Sequence, residues 1–198
     1  NSSTQNITVN VTNLNDNTPS ITSTANFSVV ENQTSVGIIT GTDADGDTIS
    51  YSLSGTDASS MSINSSSGVL TFNSAPDYET KTSYTATVTA SDGTNSSTQN
   101  ITVTISDIDD TAPTFTSSAS FTVAENQRSV GEVTATDVDT EDAIIFYSIS
   151  GSEFTIYRNS GDIIFNDLPD YETKTTYTAT VTASDGTNSA TQDITVNV

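Results

Sequence analysis

One long block of this sequence occurs twice. Residues 77–103 and 170–196 differ at only three of 27 positions, and the second block follows the first by 93 residues. A repeat on this scale indicates two copies of one domain, each of roughly 90 residues. Because acidic residues recur with the block, we expect the chemistry to lie where acidic residues of neighbouring copies meet.

Each copy has the pattern of β-strands. Residues 84–90 (YTATVTA) and 177–183 alternate apolar and hydroxyl side chains, as half-buried strands do. Asp-Gly turn signals at 45–46, 92–93 and 185–186 separate such runs. About seven short strands per copy predict an all-β protein of two tandem seven-stranded Greek-key β-sandwiches.

The phase of the repeat sets the predicted boundaries. Residues 1–11 (NSSTQNITVNV) match the predicted last strand of each copy, residues 95–105 and 188–198. We therefore predict the last strand of an incomplete upstream repeat at 1–13, a first repeat with its linkers at 14–110 and a second repeat at 111–198. A solitary strand should be disordered, fold back, or add to a sheet edge of another molecule.

Composition excludes several classes of function. The chain has no Cys and no His, which excludes disulfides, thiolate or imidazole metal sites and Ser-His-Asp catalysis. It carries 25 acidic and 4 basic residues, so nucleic acid and anionic membrane surfaces are not expected partners. There is no apolar run of about 18 residues that would insert into a membrane. Two readings of the acidic residues remain: a solvated surface, or carboxylates that hold hard cations.

Four acidic motifs recur in the same order in the two copies. The first copy contains VVEN at 29–32, GTDAD at 41–45, PDYE at 76–79 and ASDG at 90–93, and the linker DIDDTAP follows at 107–113. The second copy repeats the first four of these motifs. In this order and spacing, both copies resemble the cadherin repeat. The resemblance implies an extracellular or cell-surface protein in which calcium ions bind at the junction between consecutive repeats.

The resemblance also implies a set of calcium ligands at the internal junction. About three Ca²⁺ are expected there, held by carboxylates and by backbone carbonyls. The carboxylates are Glu31, Asp77, Glu79, Asp107, Asp109, Asp110, Asp137, Asp139 and Asp185, and the carbonyls are those near Ile108, Thr111 and Ala143. Asp77 and Glu79 are two residues apart in an extended segment, so both carboxylates project to one face. Turn formation is the alternative role for any single Asp in this set.

Each end of the chain carries part of a similar set. The upstream part consists of Asn15, Asp16, Asn17, Asp43, Asp45 and Asp92. It is expected to form a partial site for one ion at most. The downstream part consists of Glu125, Asp170 and Glu172, which would need a linker beyond Val198.

These observations predict a calcium-binding structural and adhesion module, not an enzyme. The nearly identical tandem copies favour a bacterial extracellular protein, whose expected partners are neighbouring repeats and a cell-surface or polysaccharide ligand. The alternative is a carbohydrate-binding module, for which Tyr157 is the freest aromatic side chain. A glycosidase is disfavoured because its two carboxylates need separate placement across a cleft, whereas Asp77 and Glu79 share one face.

Overall fold

The computed structural model describes residues 1–139 and 144–198, and the chain divides into two units. The first is Asn1–Asp107 and the second is Ile108–Val198. Each unit is a β-sandwich with one four-stranded sheet, one three-stranded sheet and one short strand pair. The predicted all-β fold class of two tandem sandwiches is confirmed.

The first unit contains nine strands and one short 3₁₀ turn, Ala58–Ser60. The four-stranded sheet has the order β2-β9-β8-β5, with β2 parallel to β9 and the other neighbours antiparallel. The three-stranded sheet is β3-β7-β6, and β1 pairs with β4. The strands are β1 Ser20–Ile21, β2 Asn26–Val30, β3 Ser35–Ile38, β4 Gly41–Thr42, β5 Ser50–Ser54, β6 Met61–Ile63, β7 Val69–Phe72, β8 Ser83–Ser91 and β9 Ser96–Ser106.

The second unit repeats this topology among its described residues. Its sheets are β11-β18-β17-β14 and β12-β16-β15, and β10 pairs with β13. The strands are β10 Thr114–Phe115, β11 Ser120–Thr122, β12 Ser129–Glu132, β13 Ala135–Thr136, β14 Phe146–Ile149, β15 Phe154–Ile156, β16 Asp162–Phe165, β17 Thr176–Ser184 and β18 Ser189–Asn197.

Apolar and hydroxyl side chains alternate along the longest strands, and the apolar ones form the core. In β9, Ile101, Val103 and Ile105 face inward and are at most 2% exposed. The intervening Thr102 and Thr104 face the other side of the sheet, where their hydroxyls can be hydrated. Burial of one such aliphatic side chain stabilises a fold by about 1.5–3 kcal/mol. The second unit has the same core strand, with Ile194 and Val196 fully buried.

An ion pair helps to hold the first unit together in the absence of cysteine. The Lys81 ammonium donates to Asp57 Oδ1 and lies 4.6 Å from the centre of the Tyr84 ring. The Thr85 backbone N–H donates to Asp57 Oδ2 at 2.8 Å. The bond from Lys81 and the bond from the Thr85 N–H hold the pKa of Asp57 below its usual range. The pair therefore ties the loop before β6 to β8.

A glycine near the end of each three-stranded sheet fits where no other residue would. Gly161 has φ +78°, and a Cβ built on it would lie 2.1 Å from the carbonyl oxygen of Val133. Gly68 has the same arrangement against Ile39 in the first unit. Gly151, by contrast, has φ +83° but open space around the Cβ position. Close backbone approach, and not only a positive φ, therefore requires glycine at 68 and 161.

Residues 1–13 lie outside both sheets of the first unit. They make no strand pairing with any part of the chain that the structure describes. Ile7, Val9 and Val11 are 81%, 79% and 93% exposed. The segment therefore has the sequence pattern of a β-strand, but no strand in the described part of the chain pairs with it.

Candidate metal centres

The upstream end of the first unit is organised around Asp45. The backbone N–H groups of Asp16 and Asn17 donate to Asp45 Oδ2 at 3.0 and 2.8 Å, and the Asn17 side-chain amide donates to Oδ1 at 2.7 Å. These bonds, led by the Asn17 N–H, hold the pKa of Asp45 below its usual range. The Asp45 N–H in turn donates to Asp43 Oδ1 at 2.8 Å. The linker that precedes β1, which contains Asp16 and Asn17, is thus bound to the loop after β4.

The loop between β8 and β9 joins the same end. Asp92 Oδ1 accepts the N–H groups of Thr94 and Asn95 at 2.7 and 2.6 Å, which closes the Asp-Gly turn. The bond from the Asn95 N–H is the main reason that the pKa of Asp92 is lowered. The Asn95 amide then donates to Asn15 Oδ1 at 3.3 Å and to the Asn17 carbonyl at 3.1 Å. Asn15, Asp16, Asn17, Asp43, Asp45 and Asp92, the predicted upstream set, therefore come together.

The second unit has the same arrangement at its upstream end. The Thr111 N–H donates to Asp139 Oδ2 at 2.6 Å, and the Asp139 N–H donates to Asp137 Oδ1 at 3.0 Å. Asp139 is only 3% exposed. The adjacent Asp110 accepts the Thr111 hydroxyl at 3.3 Å. The linker at the start of this unit is therefore bound to the loop after β13, as in the first unit.

Asp185 and Asn188 complete that end. Asp185 Oδ1 accepts the N–H groups of Thr187 and Asn188, each at 2.6 Å. The Asn188 amide donates to the backbone carbonyl and to Oδ1 of Asp109, at 3.2 and 3.1 Å. Ile108 is 41% exposed. Ala143, whose carbonyl is a predicted ligand, lies outside the described residues.

Five of these loop carboxylates each leave one oxygen without a donor, whereas both oxygens of Asp45 accept hydrogen bonds. Asp43 Oδ2 and Asp92 Oδ2 in the first unit are buried, and so are Asp137 Oδ2, Asp139 Oδ1 and Asp185 Oδ2 in the second. None of these five atoms has a hydrogen-bond partner within residues 1–139 and 144–198. A buried charged oxygen without a donor costs several kcal/mol unless a cation compensates it. The donor set therefore fits a hard cation with oxygen ligands.

A second cluster of carboxylates lies at the downstream end of the first unit. One carboxylate oxygen from each of Glu31, Glu79 and Asp107 lies within 4.8 Å of the others. Glu31 follows β2, is 2% exposed and accepts the Tyr78 N–H at 2.8 Å. Three acidic groups at this distance repel one another, and a cation among them would relieve that repulsion.

Asp77 has a different position from the other predicted ligands of this unit. It is not part of the Glu31, Glu79 and Asp107 group. Its two carboxylate oxygens accept the backbone N–H and the hydroxyl of Thr80 at 3.2 and 2.9 Å. The Thr80 hydroxyl is the main cause of its lowered pKa. Asp77 therefore closes the turn before β8, and metal binding by Asp77 stays a prediction.

The downstream end of the second unit carries an exposed group. Oxygens of Glu125, Asp170 and Glu172 lie within 4.8 Å of one another. Here Asp170 belongs to the group although it also caps a turn, accepting the Thr173 hydroxyl at 2.8 Å, which lowers its pKa. All three side chains are exposed. The predicted downstream set is therefore assembled, and water reaches it.

Sequence reasoning missed three residues of these ends. Asn95 and Asn188 hold the linkers through their side-chain amides, and Asp47 lies within 4.8 Å of Asp43 and Asp45. The signal for the asparagines was present, since both copies read SDGTN with Asn three residues after Asp. The signal for Asp47 was the third acid of DADGD.

Two tandem β-sandwiches with carboxylates gathered at their ends define a class of all-β repeat protein. Residues 25–106 and 119–198 match the description "Cadherin domain". The chain belongs to the cadherin family. Cadherin domains are calcium-dependent adhesion modules that bind Ca²⁺ at repeat junctions, and proteins built from them are adhesion proteins, not enzymes.

Comparison with individual relatives agrees with this assignment. The chain is 33% identical over 209 residues to human Protocadherin Fat 4, covering 97% of this chain and 4% of that protein. It is 34% identical over 196 residues to the human Cadherin EGF LAG seven-pass G-type receptor 2, covering 90% and 7%. The chain therefore spans less than a tenth of these relatives. Both are animal proteins, so the expected bacterial source stays a prediction.

Solved structures show the same fold. The human Protocadherin-24 EC1-2 structure has a TM-score of 0.77 at 22% identity and covers 93% of this chain and 98% of its own. The mouse Cadherin-23 EC22-24 structure has a TM-score of 0.74 at 27% identity and covers 92% and 67%. These matches give no support to the carbohydrate-binding alternative or to a polysaccharide ligand. Residues 1–139 and 144–198 contain no helix with the length and hydropathy of a membrane span.

Proposed function

We propose that this chain is a calcium-binding structural and adhesive segment of an extracellular or cell-surface protein, in which Ca²⁺ stiffens the connection between tandem repeats. The buried carboxylate oxygens of Asp137, Asp139 and Asp185 carry the proposal, because no donor satisfies them within the described part of the chain. A cation supplies the charge compensation that the protein itself does not.

Calcium suits these donors better than other metals do. The chain has no His and no Cys, so only oxygen ligands are available. Ca²⁺ takes six to eight oxygens at about 2.3–2.6 Å and tolerates irregular geometry, whereas Mg²⁺ requires a near-ideal octahedron. Soft transition metals prefer nitrogen and sulfur. Short carboxylates and backbone carbonyls are the donors that calcium accepts.

The acidic sets of the two units are consecutive in the chain. The downstream set of the first unit ends with Asp107, and the second unit begins at Ile108 with Asp109 and Asp110 close behind. We propose that about three Ca²⁺ bind to carboxylates and carbonyls of both sets. The proposed ligands are the nine carboxylates and three carbonyls named from the sequence. Nine negative charges would repel without metal, and six positive charges would offset most of them, so binding and order of the linker are coupled.

The two outer sets are proposed to bind more weakly. The upstream set around Asp45 contains no glutamate, and all three side chains of the downstream set around Glu125 are exposed to water. Isothermal calorimetry separates these cases. About three ions per chain indicate the internal set alone, and four or more indicate that an outer set also fills.

Small-angle scattering with and without calcium tests the proposed stiffening. The radius of gyration should change between EDTA and millimolar Ca²⁺, with a narrower distribution of lengths in Ca²⁺. Glu31→Ala should remove most of this response, because it deletes the buried carboxylate of the first unit. Glu125→Ala is the matched control, since it changes the equivalent residue of the second unit, in the exposed downstream set. Identical scattering in EDTA and Ca²⁺ would refute the proposal.

A further inference from the structure

Asn32 and Asn126 have a backbone conformation that most residues avoid. Within residues 1–139 and 144–198, they are the two residues other than glycine with a positive φ, at +62° and +60°. Each directly follows the glutamate of an acidic set, Glu31 or Glu125. For an L-residue with a Cβ, the left-handed region costs about 5- to 30-fold in an equilibrium constant, and asparagine is one of the few residues that visit it. The same conformation at the same place in both copies indicates that this turn requires it.

The turn after β2 shows why the conformation is needed. β2 ends at Val30 in the four-stranded sheet, and β3 begins at Ser35 in the three-stranded sheet. Only residues 31–34 connect the two sheets. Because sheets that pack face to face lie about 10 Å apart, the chain has to turn away from β2 within one or two residues. The positive φ of Asn32 provides this change of direction.

Two backbone hydrogen bonds of the turn join it to two other segments. The Glu31 N–H donates to the Ser106 carbonyl at 3.1 Å, and the Asn32 N–H donates to the Pro76 carbonyl at 3.0 Å. Ser106 is the last residue of β9, directly before the linker, and Pro76 begins the PDYE motif. The linker and the PDYE motif supply the other two carboxylates of the Glu31 cluster. The turn therefore holds together the three segments from which this cluster is built.

The same turn sets the position of the Glu31 side chain. Glu31 Oε2 accepts the Tyr78 N–H at 2.8 Å, and the side chain is 2% exposed. One of its oxygens lies within 4.8 Å of oxygens of Glu79 and Asp107. Without a cation the three carboxylates repel one another, and this repulsion opposes the closed form of the turn. Any further cost of closing the turn therefore lowers the fraction of molecules in which the cluster is assembled.

We propose that Asn32 is a positioning residue for calcium: its left-handed backbone holds Glu31 in the cluster, and the Ca²⁺ affinity of the cluster depends on whether residue 32 tolerates a positive φ. The inference rests on the proposed function, because it concerns the same calcium ligands. The apparent Kd of a ligand rises as the fraction of the binding-competent conformation falls. A residue that disfavours the left-handed region should therefore weaken Ca²⁺ binding although Glu31 itself is unchanged.

Asn32→Ala and Asn32→Gly form the matched pair that tests this proposal. Both variants remove the amide side chain, but only glycine adopts a positive φ without a steric cost. In calorimetric titration with Ca²⁺, the Kd of Asn32→Ala should be about 5- to 30-fold higher than that of Asn32→Gly. In EDTA the two variants should melt at the same temperature, because repulsion among the carboxylates opposes the closed turn in both.

Asn126→Ala and Asn126→Gly form the control pair. Asn126 has nearly the same φ as Asn32, and its N–H donates to the Pro169 carbonyl at 2.9 Å. The glutamate that it follows, Glu125, is exposed and belongs to the downstream set. The alanine substitution thus has the same conformational cost in the second unit, but the Kd of the internal calcium sites should be equal in this pair.

The possible results distinguish this inference from the proposed function. If the wild type binds no Ca²⁺, the proposed function fails and the inference fails with it. If the wild type binds Ca²⁺ but Asn32→Ala and Asn32→Gly have equal Kd values, the inference alone is overturned, and an equal loss of Tm in EDTA and in Ca²⁺ would assign Asn32 a purely structural role. An Asn32→Ala chain that does not fold in EDTA would also overturn it, because the turn would then be required by the fold and not by the ion.

Discussion

Asp139→Asn tests the reasoning about the buried carboxylates most directly. Asp139 is 3% exposed; its Oδ2 accepts the Thr111 N–H at 2.6 Å, while its Oδ1 is buried without a donor within the described residues. The amide keeps the size of the side chain and removes its charge. In EDTA the variant should therefore be more stable than the wild type, because it removes a poorly compensated buried charge.

Calcium should stabilise the wild type more than the variant. Removing one partner of a buried charge pair costs about 3 kcal/mol, which is about a hundredfold in the Kd for Ca²⁺. At a Ca²⁺ concentration 100 times the wild-type Kd, binding stabilises the wild type by about 2.7 kcal/mol. The same concentration would stabilise the variant by only about 0.4 kcal/mol. For a unit of about 90 residues, the lost 2.3 kcal/mol corresponds to about 9–18 °C in Tm.

Thermal melts in EDTA and in Ca²⁺ measure both effects in one experiment. Asp193→Asn is the matched control, because Asp193 is an exposed residue of β18 that accepts the Thr180 hydroxyl at 2.7 Å, and the first unit carries Asn100 at the equivalent position. The control should keep the full calcium-induced rise in Tm. If Asp139→Asn keeps it as well, the buried oxygen is not a calcium ligand and the reasoning is wrong.

Three further predictions follow from single contacts. Asp57→Asn should cost about 1–2 kcal/mol at pH 7. Because the bond from Lys81 lowers the pKa of Asp57, this difference should shrink progressively as the pH falls below about 4 in EDTA melts, and a cost that does not decrease with falling pH would contradict it. Gly161→Ala should destabilise the second unit by at least about 3 kcal/mol in urea unfolding, whereas Gly151→Ala, with similar φ and open space, should cost about 1 kcal/mol; equal losses would exclude the backbone clash. Asn188→Ala should weaken calcium binding about tenfold in calorimetry, since its amide holds the linker, and an unchanged Kd would show that this contact is unnecessary.

The strands could be predicted because their pattern is local. Alternation in residues 84–90 and 177–183 places alanine and valine on one face and threonine on the other, as β8 and β17 show. The short pairs β1-β4 and β10-β13 could not be predicted, because each strand has only two residues and its partner lies 20 or more residues away. Two residues carry too little periodicity to indicate a strand.

The sequence indicated which acidic residues gather at the ends of the units, but it did not indicate the contacts that each of them makes. Repetition of the motifs singled out Asp43, Asp45 and Asp92, which the fold brings together. It could not show that Asn95 holds the linker, because that contact joins residues 80 positions apart. It also could not show that Asp77 caps a turn through Thr80, since a carboxylate offers the same oxygens to a donor and to a metal.

The sequence alone determined that this chain has two copies of one β-sandwich, that its chemistry is limited to oxygen ligands and that its acids recur at fixed intervals. These properties depend on composition and on local periodicity. The tertiary structure decided which carboxylate oxygens are buried without a donor, because burial depends on loops that are distant in sequence and meet at one end of a unit. It also showed that Ile7, Val9 and Val11 are exposed although the equivalent side chains of β9 are buried. A strand is stabilised by its neighbours, and its own sequence does not supply them.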